Sequence, residues 1–348
     1  MSFHKKLLGW FGENRRPFPW RDSAEPYKVW LSEIILQQTR AAQGLPYYES
    51  FISNFPTVEE LAAAKEDHVM KLWQGLGYYS RARNLHATAK TITDQYQGRF
   101  PSDFDQIKSL KGIGDYTASA IASICFGQDQ AVVDGNVYRV LSRVFGMDQP
   151  IDASAAHRIY KEKAQHLMQG APPGDFNQAM MEFGALQCVP KNPNCQDCIF
   201  IKDCLAFQQA KVGLLPIKAK KVKVKNRYLH FFVLIDESKN TLLQKREGKG
   251  IWQNLYQFPL IETFAKQKHF QTHQLDSLLA EHRISSDFVI DKWNDQPIFH
   301  KLTHQHLEIN FWIVKLSDSS NLVTQSSNIQ DYPMPKVLQN FRDKFFIN

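Results

Sequence analysis

The sequence predicts two domains, a mainly α N-terminal part followed by a small α+β C-terminal part. Three observations carry this. The length of 348 residues corresponds to about two domains at ~150 residues each. Apolar residues recur at helical spacing through residues 1–204, which places one face of each helix on a core. Beyond residue 226 the apolar pattern changes to the period of two that strands show. A content of 43% hydrophobic and 22% charged residues excludes wholesale disorder and low complexity. No apolar run approaches the ~18–20 residues of a membrane span. Leu7–Gly12, followed at once by Glu13, is too short for the apolar region of a signal peptide. The chain is accordingly expected in the cytoplasm, with no membrane partner.

In chain order, Pro26 to Gln43 reads as a helix, with Pro26 suited to its first turn. Its interior carries Lys28, Glu33 and Arg40. Val29, Trp30 and Leu36 stand at i−4, i−3 and i+3 from Glu33, so the carboxyl lies on the apolar face. Burial there raises a carboxyl pKa and keeps it protonated near neutrality, as a general acid requires. The same spacing also fits a helix-edge glutamate that reaches solvent. Further helical runs cover 57–74, 80–96, 102–110, 115–126, 135–145 and 153–169, with Ser, Thr or Asp near their starts.

Between two of these runs stands Leu110-Lys111-Gly112-Ile113-Gly114. Two glycines one residue apart let the backbone turn tightly and approach a ligand. The amides of Gly112, Gly114 and the next helix start can then hold a phosphate, although an ordinary helix–helix turn has the same local signature. Asp134, in Val132-Val133-Asp134-Gly135-Asn136-Val137, precedes a helix, a position that Asp favours as an N-cap.

Four of the five cysteines, Cys188, Cys195, Cys198 and Cys204, have the spacing C-x6-C-x2-C-x5-C. Four thiolates on one tight loop suit a [4Fe–4S] cluster or a structural zinc, and spacing alone does not separate the two. Cys125, on a small-residue helix, reads as core.

The formal charge of +7 suggests an acidic partner, nucleic acid first. Its distribution is uneven. Lys211, Lys218, Lys220, Lys221, Lys223 and Lys225 follow one another without an acid, and residues 1–210 carry 22 charges of each sign. Phosphate contact and a solvated linker both fit those lysines. After them, Tyr228–Ile235 and Leu307–Val314 read as strands and 269–283 as a helix.

A helix-hairpin-helix followed by that cysteine spacing resembles the endonuclease III superfamily of DNA glycosylases. The C-terminal domain makes the chain similar, over nearly its whole length, to the A/G-mismatch-specific adenine glycosylases of the MutY family. The resemblance implies a mainly α helix-hairpin-helix glycosylase core with an iron–sulfur loop, plus a C-terminal α+β Nudix-like domain. The core is expected over 1–215 (hairpin about 102–126, cluster loop 188–204), a Lys-rich linker over 216–226, and the Nudix-like domain over 227–348. The cysteines would then hold a [4Fe–4S] cluster.

Residue by residue, the resemblance implies the following roles. Glu33, in Glu33-Ile34-Ile35-Leu36-Gln37-Gln38-Thr39, protonates adenine at N7, and Leu36 and Gln38 enter the duplex. Asp134 steadies the cation left at the sugar, electrostatically or by transient covalent attachment, with Asn136 holding this site and its water. Bifunctional relatives place a Schiff-base lysine two residues after the second hairpin glycine. Here that residue is Tyr116, which implies a monofunctional enzyme. Arg21 and Glu182 resemble adenine-pocket residues, and Tyr78 a side chain stacking at the lesion.

Trp252–Pro259 resembles the appended Nudix-like domain, but no acidic magnesium-binding helix follows, so hydrolysis there is not expected. Leu302-Thr303-His304 stands where the family reads 8-oxoguanine with Phe-Ser-His. Thr303 and His304 keep the hydroxyl and imidazole, while Leu302 departs from the aromatic. His300, His304 and His306 find no acid to complete a metal site. The implied partner is double-stranded DNA with adenine opposite 8-oxoguanine or guanine, bound by a monomer, nucleoid-associated and bacterial in type. Two alternatives compete. A different mismatch glycosylase on this scaffold is opposed by Tyr116 and the C-terminal domain. A non-catalytic DNA-binding or electron-transfer protein is opposed by Glu33 and Asp134.

Overall fold

The computed structural model describes residues 2–219, 224–267, 269–270, 272–284, 287–317, 322, 324 and 326–347. The chain folds as two compact units, Met1–Ala64 with Arg83–Lys220, and Lys65–Ala82 with Lys221–Asn348. This grouping differs from the expected division into 1–215 and 227–348 in placing residues 65–82 with the C-terminal unit. Residues 65–82 join the C-terminal unit because their charges find partners there. Asp67 accepts from Lys245 Nζ at 2.6 Å and from Tyr256 Oη at 3.0 Å. Glu66 accepts from Asn254 at 2.5 Å, and Lys71 donates to the Gln330 carbonyl.

The N-terminal unit is helical. The Gly135–Val144, Ala156–Met168 and Pro173–Leu186 helices enclose a core that includes Val137, Leu141, Tyr160, Phe176 and Phe183. Two sequence expectations change. The helix begun at Pro26 stops at Leu36 rather than Gln43. Gln38 takes the left-handed conformation at φ +57°, the Thr39 amide closes onto the Leu36 carbonyl at 3.1 Å, and a new helix runs Ala41–Asn54. The run 57–74 is two helices, Val58–Ala63 and Glu66–Leu72, because Ala64 and Lys65 are extended. A reciprocal cap between Thr57 and Glu60 fixes the first start.

The hairpin joins the Phe104–Ser109 and Asp115–Phe126 helices. Gly112 is required there: its φ is +80°, and a Cβ would stand 2.6 Å from Asn84 Cβ.

In the C-terminal unit the strands are β1 (Lys225–Ile235), β2 (Gln244–Lys245), β3 (Tyr256–Gln257), β4 (Leu260–Thr263), β5 (Phe288–Lys292), β6 (Ile298–Lys301) and β7 (Gln305–Leu316). The main sheet runs β4-β1-β7-β5, with β6 also on β7, and β2 pairs with β3. β1 and β7 are parallel, and the other pairs are antiparallel. β1 and β7 are central and covered on both faces, which explains their nearly unbroken apolar sequence. Phe232, Trp312 and Val314 cluster with Leu275, Leu278 and Leu279 of the Thr272–Glu281 helix. On the other face Phe311 stacks on Phe341 of the Lys336–Arg342 helix, ring centroids 4.0 Å apart. Among the described residues no helix is long and apolar enough to cross a membrane.

Candidate active site

A cleft of about 760 Å³ in the N-terminal unit is lined by Glu33, Tyr116, Asp134, Asn136, Arg21 and Glu182, with Leu36 and Gln38 also on its wall. Glu33, on the Pro26–Leu36 helix, is 9% exposed, so the solvent-reaching reading of this residue fails. Tyr116 Oη donates to Glu33 Oε2 at 2.6 Å and lies 3.3 Å from Met181 Sδ. Burial pushes the Glu33 carboxyl up to about 7; the Asp134 charge adds to this, while the Tyr116 hydrogen bond and Arg21 oppose it.

Asp134 caps the Gly135–Val144 helix. Its Oδ1 accepts from the Val137 amide at 2.8 Å and its Oδ2 from Asn136 Nδ2 at 2.8 Å. Burial pushes this carboxyl up against the pull of those N–H donors and of the Arg139 charge. Arg139 braces the arrangement, donating to Asn136 Oδ1 at 2.9 Å, the Gly184 carbonyl at 2.5 Å and the Cys188 carbonyl at 2.6 Å. Gly184 permits this approach, since a Cβ there would meet Asn136 Cβ at 2.6 Å. The two carboxyls therefore have unequal surroundings. Glu33 faces a neutral hydroxyl in an apolar setting, and Asp134 faces N–H donors backed by a guanidinium. Such a split suits one proton donor and one fixed anion.

Glu182 is 1% exposed and is clamped by two arginines. Arg21 Nη1 and Nη2 donate at 2.9 and 2.7 Å, and Arg16 Nε and Nη2 at 2.7 and 2.6 Å. Burial alone would raise its carboxyl, but the guanidiniums outweigh it and hold the group down at about 2. Glu182 is thus a buried anchor and not a solvated side chain, and Arg21 is tied to it.

Arg16, Met181 and Gln178 were not anticipated. Gln178 lines the cleft, and its buried Oε1 has no hydrogen-bond partner among the described residues. A signal existed for it: Gln178 stands four residues before Glu182 and shares its helix face. Arg16 had none, since its partner lies 166 positions away.

Other predicted residues lie elsewhere. Gly112 and Gly114 are in the hairpin of the same unit. Tyr78, at φ +48° and 52% exposed, belongs to the C-terminal unit. There its hydroxyl meets Thr303 Oγ1 at 2.8 Å, a pairing across 225 positions. Leu302-Thr303-His304 forms the turn between β6 and β7, closed by the Leu302 amide on the Gln305 carbonyl at 2.8 Å.

Cys188, Cys195, Cys198 and Cys204 are all free thiols. Cys198 feels the charges of the other three. The Phe200 amide lies 3.4 Å from Cys198 Sγ and Arg143 Nη1 3.6 Å from Cys188 Sγ, although burial pushes the Cys198 thiol up to about 11. Among the described residues no group of three or more His, Cys, Asp or Glu side chains stands ready around a single metal ion.

A helical hairpin core with a buried acid and a capping aspartate in one cleft defines a base-excision DNA glycosylase scaffold. Residues 31–166 match the family of HhH-GPD superfamily base excision DNA repair proteins, and 230–344 match the NUDIX domain family. The chain is 34% identical over 356 residues to the adenine DNA glycosylase of Buchnera aphidicola subsp. Schizaphis graminum (strain Sg), covering 99% of this chain and 98% of that protein. It is 41% identical over 225 residues to the adenine DNA glycosylase of Mus musculus, covering 62% of this chain and 43% of that one. Among solved structures, a thermostable thymine-DNA glycosylase matches with a TM-score of 0.55 and 31% identity, covering 60% of this chain and 95% of that one. The chain belongs to the adenine DNA glycosylase (MutY) family.

Proposed function

We propose that this glycosylase excises adenine paired with 8-oxoguanine or guanine and does so monofunctionally, leaving an abasic site. The observation that carries the reading is the Glu33–Tyr116–Asp134 arrangement in one cleft. Adenine is flipped from the stack into the cleft, with Leu36 and Gln38 entering the duplex it leaves. Arg21 and Glu182 form a fixed wall, and Gln178 Oε1 accepts from the exocyclic amine. Glu33, protonated because it is buried, gives its proton to N7, and the ring becomes a neutral leaving group. The glycosidic bond breaks and positive charge spreads over C1′ and the ring oxygen. Asp134 stabilises that charge, and water held beside Asn136 adds to C1′ as the Glu33 carboxylate takes up the proton it releases.

Tyr116 takes the place of an amine nucleophile and instead orients the Glu33 proton. The Nudix-like unit is proposed to read the opposite base through Thr303 and His304, with Tyr78 stacking at the lesion. The Tyr78–Thr303 hydrogen bond supports this pairing of roles. The protein is proposed to act as a monomer on double-stranded DNA in the cytoplasm, at the nucleoid.

The test is single-turnover cleavage over a panel of duplexes carrying A:8-oxoguanine, A:G, T:G and thymine glycol, with borohydride present in parallel. Adenine release from the first two, with little covalent capture of DNA, is expected. Efficient capture would overturn the monofunctional reading, and thymine release would overturn the choice of base.

The four cysteines are further proposed to hold a [4Fe–4S] cluster. Four free thiols under one another's electrostatic influence, with N–H donors on two sulfurs, fit that group. When bound, the cluster would cross-link the 188–204 loop. Arg139, through its bond to the Cys188 carbonyl, sets that loop against Asn136. Purified protein should be brown, with broad visible absorbance and about four irons per chain. Colourless protein with one zinc would favour the other metal.

A further inference from the structure

The hairpin carries charge chemistry that the excision steps do not use. Asp115 follows Gly114 directly and opens the Asp115–Phe126 helix, whose start has no side-chain cap. Two lysines and a histidine converge on its carboxylate. Lys161 Nζ lies 2.6 Å from Oδ1, Lys108 Nζ 3.0 Å from Oδ2 and His157 Nε2 3.4 Å from Oδ1. Both ammonium groups also sit over the Phe104 ring, at 5.4 Å for Lys108 and 4.8 Å for Lys161, and Lys161 bonds Ser119 Oγ at 3.2 Å. Burial would raise the Asp115 carboxyl, but the bonds from Lys161 and Lys108 hold it below the usual carboxylate range, so the acid stays charged.

A lone acid at a phosphate-facing hairpin would repel DNA. Here two lysines exceed one carboxylate by one positive unit, and that excess stands at the start of the uncapped helix. An ammonium has three N–H donors. Asp115 takes one from each lysine, which leaves N–H groups for an incoming oxygen. The carboxylate and the ring also fix where the ammonium groups stand, which lowers the ordering cost of binding.

We infer that Lys108 and Lys161, held by Asp115 and Phe104, form a seat for DNA backbone phosphate that extends the contact made by the hairpin amides. The inference rests on reading the hairpin as a DNA-backbone contact. The acid is a positioning residue, and the lysines supply the charge.

The experiment measures duplex affinity of the full-length protein against salt concentration, on undamaged DNA. Each phosphate contact contributes a log–log slope of about 0.9. Lys108→Met/Lys161→Met, which keeps much of the apolar stems, should flatten the slope by about 0.9, the value of one phosphate contact, and weaken binding several-fold at low salt. Excision at saturating protein should not change. Lys108→Met alone, at a 45% exposed side chain, should flatten it by part of that amount, and Lys108→Arg/Lys161→Arg should keep the wild-type slope. A slope unchanged in both Met variants overturns the seat.

Gly114→Ala separates the two readings. A Cβ there meets nothing within 4 Å, so the fold tolerates it, while the methyl obstructs DNA at the hairpin. Weaker binding by Gly114→Ala with unchanged slopes in the lysine variants leaves the hairpin contact standing and removes the seat. No effect in either set removes both.

Discussion

Glu33→Gln is expected to lower single-turnover adenine release by about 10³-fold, within the ~10²–10⁴ range for a positioned general acid, while leaving mismatch binding intact. The amide keeps the shape and still accepts from Tyr116 through its oxygen, but it has no acidic proton to give to N7. Near-native turnover in this variant would remove Glu33 from the mechanism. The pH profile is a second readout. With the carboxyl pushed up to about 7, wild-type cleavage should hold level below pH 7 and fall tenfold per unit above it. The residual rate of the variant should lack that fall.

The substitution itself should act on stability in the opposite sense. The folded-state value of about 7 lies above the ordinary 4.5, so the folded protein holds this proton more tightly than the unfolded chain. The stability associated with the proton is full below pH 4.5, declines from 4.5 to 7 and is absent above 7. Glu33→Gln should therefore melt higher than wild type at pH 8, with the difference shrinking toward pH 5. Activity and stability thus conflict at one side chain, which marks a residue kept for chemistry.

The parts of this site that were legible in the sequence are those whose partners are near in the chain. Glu33 could be placed on an apolar face because Val29, Trp30 and Leu36 sit within one helical turn. Gly112 and Gly114, and the four cysteines, declare themselves by spacing for the same reason. The clamp on Glu182 did not, because Arg16 and Arg21 reach it across 166 and 161 positions. The helix end at Leu36 was hidden as well. Residues 37–43 contain no proline or glycine to stop a helix, and what holds the turn includes a tertiary bond from Gln37 Nε2 to Thr117 Oγ1 at 3.3 Å. Residues 65–82 read as part of the helical core because helical periodicity reports a helix and not its neighbour. Their place is set by pairs such as Asp67–Lys245, 178 positions apart. The family resemblance supplied roles, and geometry then showed which of those residues share a cleft.

Asp134→Asn is the second large effect expected, and it separates two duties of one side chain. Asp134 caps the Gly135–Val144 helix through Oδ1 and accepts from Asn136 through Oδ2. Asparagine is among the preferred N-cap residues, so its side-chain oxygen can take the Val137 amide and the helix start should survive. The charge does not survive, and its second position becomes an NH₂ facing the Asn136 amide. Bond cleavage builds positive charge at C1′, and fixed charge in a site that excludes water acts more strongly than in bulk. A fall of about 10²–10³-fold in single-turnover cleavage is therefore expected, on the scale of removing one preorganised electrostatic group, with a melting temperature near that of wild type. If the melting temperature collapsed together with the rate, Asp134 would be serving as a cap. If both were retained, the anion would lie elsewhere in the cleft, and Asp134 would have no part in the chemistry. A lost rate on an intact fold assigns the anion to Asp134 and leaves Glu33 as the group that supplies the proton.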